Sequence, residues 1–184
     1  MKIFINPGHA PEGIPDPGAC NPYTGLQESE VVFCVGEKAA DYLNAVGIET
    51  ECLQSDSLEE VCSAANGSGA ELFISIHCNS AGTADANGTE TWACAGSAAG
   101  SQLAQCINNQ IVDSLDTTDR GVKIATPGVN GLYVLTNTDM PAVLVELAFI
   151  SNAEDVVLLT EQQDEFARAI ARGVTDYMNE SEEE

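Results

Sequence analysis

The chain has only two histidines, and each stands at the end of an apolar run. Leu72-Phe73-Ile74-Ser75-Ile76 is interrupted only by Ser75, reads as a buried strand, and leads into His77-Cys78-Asn79. Lys2-Ile3-Phe4-Ile5-Asn6 reads as a second strand, and Pro7-Gly8 turns off its end into His9. A parallel strand that ends in a polar side chain delivers it to the carboxyl edge of the sheet, where open α/β folds place their sites. Either histidine alone reads as an ordinary hydrogen-bonded residue. Two imidazoles at one edge of one sheet suggest a shared metal, and zinc fits their ligand type best.

Two more segments offer oxygen. Glu28 and Glu30 open a helix that follows a long loop. They read either as compensation of the helix dipole or as a carboxylate ligand carried back over the sheet. Ala142-Val143-Leu144-Val145 is a fully apolar strand that ends in Glu146, and a carboxylate there is costly unless paired or placed in a polar cleft. Cys78 adjoins His77 but should point to the opposite face of the strand, which argues against a nucleophilic role.

The elements that must hold these groups follow in order. Residues 10–27 are rich in Pro, Gly, Asn and Asp and read as a long loop, a common place for function. The helix carrying Val31, Val32, Val35, Ala39, Tyr42, Leu43 and Val46 stops at Gly47. Residues 48–53 read as a strand. Ser57 caps a helix through Ala65, with Glu60 placed to complete a capping box. Residues 89–94 alternate as a strand, and Leu103, Cys106, Ile107, Ile111 and Leu115 mark a helix. Residues 116–131 read as loop and 132–135 as a short strand. A helical turn is expected over 152–159 and a last helix over 161–178, with Phe166, Ile170, Val174 and Tyr177 as its apolar stripe. This alternation predicts a three-layer α/β sandwich, with a mostly parallel twisted sheet of about six strands and helices on both faces.

Composition narrows the partners. Six Lys and Arg stand against 29 Asp and Glu, a formal charge of −23, which excludes nucleic acid as an expected partner. No run approaches the roughly 20 apolar residues of a membrane span. The strand beginning at Lys2 leaves no signal-peptide pattern, so a soluble cytoplasmic product, or a domain cut from an exported protein, is expected. Seven scattered cysteines without a CxxC pattern read as reduced thiols.

Together these segments resemble the Amidase_3 family of zinc-dependent N-acetylmuramoyl-L-alanine amidases. Asn6-Pro7-Gly8-His9 is similar to the family's D-P-G-H, and Asp16-Pro17-Gly18-Ala19 to its D-P-G-A loop. Gln27-Glu28-Ser29-Glu30-Val31-Val32 matches the ligand glutamate and its helix start. Ala65-Asn66 and Phe73-Ile74-Ser75-Ile76-His77-Cys78-Asn79 match A-N…F-x-S-I-H-x-N. Asp119-Arg120-Gly121-Val122-Lys123, Val134-Leu135 and the segment 141–152 fit the closing motifs. The resemblance covers nearly the whole chain. It implies that His9, Glu28 and His77 bind one zinc ion, that Glu146 is the catalytic acid/base, and that Asn79 and Arg120 are candidates for substrate contact. It further implies a peptidoglycan substrate, action at the cell wall and a monomeric catalytic domain over 1–179; the acidic composition of 180–184 reads as a disordered tail. Another zinc peptidase acting within the peptidoglycan stem peptide, or a non-catalytic wall-binding module, are the alternatives. Two departures stand out: Asn6 replaces an aspartate, and no arginine lies between Leu58 and Asn66.

Overall fold

The computed structural model describes residues 1–182. Six strands form one sheet: β1 (Lys2–Pro7), β2 (Glu49–Cys52), β3 (Leu72–Asn79), β4 (Thr89–Cys94), β5 (Asp119–Ala125) and β6 (Ala142–Phe149), in the order β2-β1-β3-β6-β4-β5. Every neighbouring pair is parallel except β4 with β6. The carboxyl edge of β3 and β6 is therefore also the edge at which β4 and β5 begin.

Strand alternation divides the core into two layers. Leu72, Ile74 and Ile76 of β3 and Val143, Val145 and Leu147 of β6 face one side. There they meet α1 (Glu28–Ala45), α3 (Ala98–Leu115), α5 (Ala153–Glu161) and α6 (Gln163–Glu182). Phe4, Phe73, Ala142 and Leu144 face the other side, where only the shorter α2 (Leu58–Gly67) and α4 (Tyr133–Thr136) cover them. His77 and Glu146 fall on this thinly covered side, past the end of its apolar layer. No helix among the described residues is long and apolar enough to cross a membrane.

Several local expectations are corrected. Residues 119–125 are not loop but the edge strand β5. Residues 132–135 are not strand: α4 turns there, and Thr136 N–H donates to the Leu132 carbonyl at 3.2 Å. The capping box on α2 is half formed. Ser57 Oγ accepts from Glu60 N–H, but the Glu60 carboxylate takes the Ser55 hydroxyl at 2.6 Å. α6 continues to Glu182, so part of the tail expected to be disordered is helical, and its last two residues lie outside the described residues.

α3 and α6 approach closely because position 173 is glycine: a Cβ there would lie 2.5 Å from Ile107 Cα. Gly173→Ala gains about 1 kcal/mol of helix propensity but incurs the about 1–3 kcal/mol typical of an overpacked core. Its urea midpoint is expected to fall below that of the wild type. An unchanged or raised midpoint contradicts this helix contact.

Candidate metal centre

The long loop brings the start of α1 back across the ends of β1 and β3. Glu28 N–H donates to the Ala19 carbonyl at 2.9 Å, and Ala19 N–H returns a bond to Glu28 Oε2 at 2.8 Å. This pair fixes the buried Glu28 side chain, whose Oε1 accepts the Cys78 backbone N–H at 2.9 Å. The same oxygen lies 2.9 Å from His9 Nε2 and 3.1 Å from His77 Nδ1. The two imidazoles meet edge to face, with centroids 5.1 Å apart. Donor atoms of His9, Glu28 and His77 all lie within 4.8 Å of one another. Glu30, two residues along α1, is exposed to solvent and stays outside this group.

The backbone is shaped to make the cluster. His9 has φ +67°, a left-handed conformation that costs a non-glycine residue about 1–2 kcal/mol. Gly8 must lack a side chain, because a Cβ there would collide with the His77 ring. Asp16 Oδ2 accepts from His9 Nδ1 at 2.8 Å, while Asp16 Oδ1 accepts from Gly18 N–H at 3.0 Å. Asp16 thus aims Nε2 of His9 at Glu28, as carboxylates behind metal-binding imidazoles commonly do. Asp16 lies in the recognised D-P-G-A loop, yet nothing in its local spacing shows that it reaches His9.

Electrostatics agree with a cation site. Burial disfavours the charged form of His9, but Glu28 and Asp16 override it and raise the imidazole to about 9. Burial likewise opposes ionisation of Glu28, yet hydrogen bonds from His77 and His9 hold its carboxyl well below the usual carboxylate range. Two imidazoles and one carboxylate match the donor set of a catalytic zinc site that leaves a fourth position open.

Glu146 is in cross-strand register with His77 on one side and Glu90 on the other. Its Oε2 is sealed from solvent and has no hydrogen-bond partner among the described residues. Burial pushes the carboxyl up to about 7; Glu28 and Glu90 add to the rise and His77 opposes it. A buried acceptor without a partner is rare in a fold that satisfies its polar groups.

Glu90 was not singled out from the sequence. It is buried at the start of β4 and gathers both candidate substrate contacts. Oε1 accepts from Asn79 Nδ2 at 3.1 Å and from Trp92 Nε1 at 3.2 Å, and Oε2 accepts from Arg120 Nε at 2.8 Å. An acidic residue on an otherwise apolar strand face was the available signal. Asn6 makes no hydrogen bond to His9 among the described residues. It donates to the Leu53 carbonyl at 2.9 Å and accepts from the Ser75 hydroxyl at 2.9 Å, so the missing aspartate is accommodated as a buried amide. Cys78 faces the other layer, and its thiol is raised well above its ordinary value by burial, then by Glu28 and Glu146. It is no nucleophile at neutral pH.

A mostly parallel α/β sandwich with this cluster and a separate acidic side chain at one sheet edge has the make-up of a candidate metal-assisted hydrolase. The comparisons with known proteins make that specific. Residues 3–176 match the model of the Amidase_3 family, N-acetylmuramoyl-L-alanine amidase, and the chain belongs to that family. It is 38% identical to the YqiI protein of Bacillus subtilis over 97% of this chain and 85% of that protein. It is 37% identical to the B. subtilis amidase LytC, over 95% of this chain but 35% of that longer protein. Among solved structures it resembles N-acetylmuramoyl-L-alanine amidase AmiC2 of Nostoc punctiforme, with TM-score 0.86, 31% identity and 97% of each chain covered.

Proposed function

We propose that this chain is a zinc-dependent hydrolase of the amide bond between N-acetylmuramic acid and the first L-alanine of the peptidoglycan stem. The observation that carries the reading is the convergence of His9, Glu28 and His77 within 4.8 Å, with Glu146 in register beside His77. These three residues would hold one zinc ion. Bound there, zinc would supply a Lewis acid that activates water and polarises the amide carbonyl.

The protein's own groups do the rest. Asp16 keeps His9 in the orientation that presents Nε2. Glu146, half-buried at this edge, takes a proton from the attacking water and delivers one to the alanine nitrogen as the C–N bond breaks. A carboxyl raised toward neutrality is suited to this exchange at neutral pH. Muramic acid regains a free carboxylate and the stem regains a free amino group. All these groups come from one chain, so a monomer suffices, and the substrate places the protein at the cell wall.

The test is to follow new amino groups while purified peptidoglycan is digested. N-terminal alanine is expected to appear in step with clearing of the walls, in zinc-loaded protein only. Clearing without new N-terminal alanine refutes the reading.

The ligand assignment carries its own prediction. Glu28→Ala is expected to leave two donors and lose bound zinc, since an incomplete site binds far more weakly. Glu30→Ala, altering an exposed side chain, is expected to keep one zinc per chain by atomic absorption. The opposite pair of results moves the ligand by two positions.

A further inference from the structure

One row of side chains crosses the sheet at this edge. His77 on β3 is in register with Glu146 on β6, Glu146 with Glu90 on β4, and Glu90 holds Arg120 on β5. The row runs from a proposed metal ligand, past the proposed base, to a cation. Arg120 is unusual company in a chain of net charge −23 with only six Lys and Arg. Lys2 pairs with Glu51 at the opposite edge, and Lys38, Arg168 and Arg172 stand on the helices of the other face. That leaves Arg120 and Lys123, both on β5. Lys123 is in register with Trp92, and its Nζ donates to the Arg120 carbonyl at 2.6 Å.

The guanidinium is held but not used up. Nε is taken by Glu90, Nη1 makes a long 3.4 Å contact with the Asn87 carbonyl, and Cζ lies over the Phe149 ring, 4.7 Å from its centroid. The side chain remains 35% exposed. A guanidinium braced along one edge and set over an aromatic ring presents its remaining N–H groups in a fixed direction, the geometry that favours carboxylates. Glu90 is the brace, and it also fixes the Asn79 amide and the Trp92 indole at the same sheet edge.

We infer that Arg120, braced by Glu90, reads a carboxylate of the stem peptide that follows the scissile bond. This deepens the proposed function and rests on it. Strands lie about 4.8 Å apart, so two steps from β6 to β5 span about 10 Å. An extended peptide covers that in about three residues. The carboxylate recognised thus belongs to one of the first residues beyond the cut amide. The glycan side of the substrate, as a run of neutral hydroxyls and amides, would make no such use of a cation.

The test compares two soluble muramyl peptides, one with free stem carboxylates and one with the same carboxylates amidated. The wild type is expected to prefer the free form by about tenfold or more in kcat/KM, mainly through KM, as for a charge-assisted bidentate contact. In Arg120→Gln the ratio is expected to fall to about one, and Arg120→Lys is expected to keep part of it. A purely structural arginine would lower both substrates together and leave the ratio intact, which overturns the inference. So does a wild-type ratio near one. If Arg120→Gln misfolds because Glu90 is left buried without its cation, the Glu90→Gln, Arg120→Gln double variant leaves no charge behind and reads the same ratio. Wild-type protein that cuts neither peptide condemns the proposed function itself, a different outcome from cutting both equally.

Discussion

Glu146→Gln is expected to fold, to bind zinc in full, and to lose turnover by about a hundredfold or more, the scale of a missing general acid/base. Glutamine keeps the shape and one carbonyl oxygen but cannot exchange a proton. The expectation rests on position: Glu146 lies within the apolar strand β6 in register with His77, and its Oε2 has no partner among the described residues. A glutamate kept for stability would behave the other way. Replacing it with a neutral amide would then lower the urea midpoint and leave turnover near normal. Zinc content, urea midpoint and kcat measured on one preparation separate the cases. Loss of zinc would instead make Glu146 a ligand.

The second large effect is expected at the metal. His77→Ala removes one of three donors held on three separate segments, and should abolish both zinc binding and hydrolysis. Stripping the wild type with a chelator should do the same reversibly, with activity returning as zinc is restored to one per chain. The variant should not recover at the same zinc concentration. Full hydrolysis by protein verified to be free of metal rules out the zinc reading.

Strand ends made much of this site legible in the sequence. His77 follows an apolar run that delivers it to the sheet edge, whereas Glu146, expected to end its strand, sits inside β6, which continues to Phe149. The helix start narrowed the carboxylate to two positions, and the resemblance then chose Glu28; in the structure Glu28 is buried against both imidazoles while Glu30 faces solvent. What stayed hidden depends on contacts that no local pattern encodes. Asp16 reaches His9 through a loop whose path is set by bonds such as Ala10 N–H to the Asp16 carbonyl at 2.9 Å. Glu90 and Arg120 are 30 residues apart and meet only because β4 and β5 pair.

The misread elements have similar causes. β5 carries Asp, Arg, Gly and Lys and pairs on one side only, so its ladder with β4 decides its state against a polar, glycine-containing composition. Leu132-Tyr133-Val134-Leu135 is too short for its periodicity to separate strand from helical turn. Burial of Val134 and Leu135 beside Val61 and Ala65 of α2 resolves it as a turn.

The most direct measurement of the central claim is mass spectrometry of purified peptidoglycan digested by the zinc-loaded protein. The account predicts glycan strands whose muramic acid carries a free carboxylate, together with intact stem peptides that begin with L-alanine. Muramic acid still bearing alanine, with the cut found further along the stem, would contradict it.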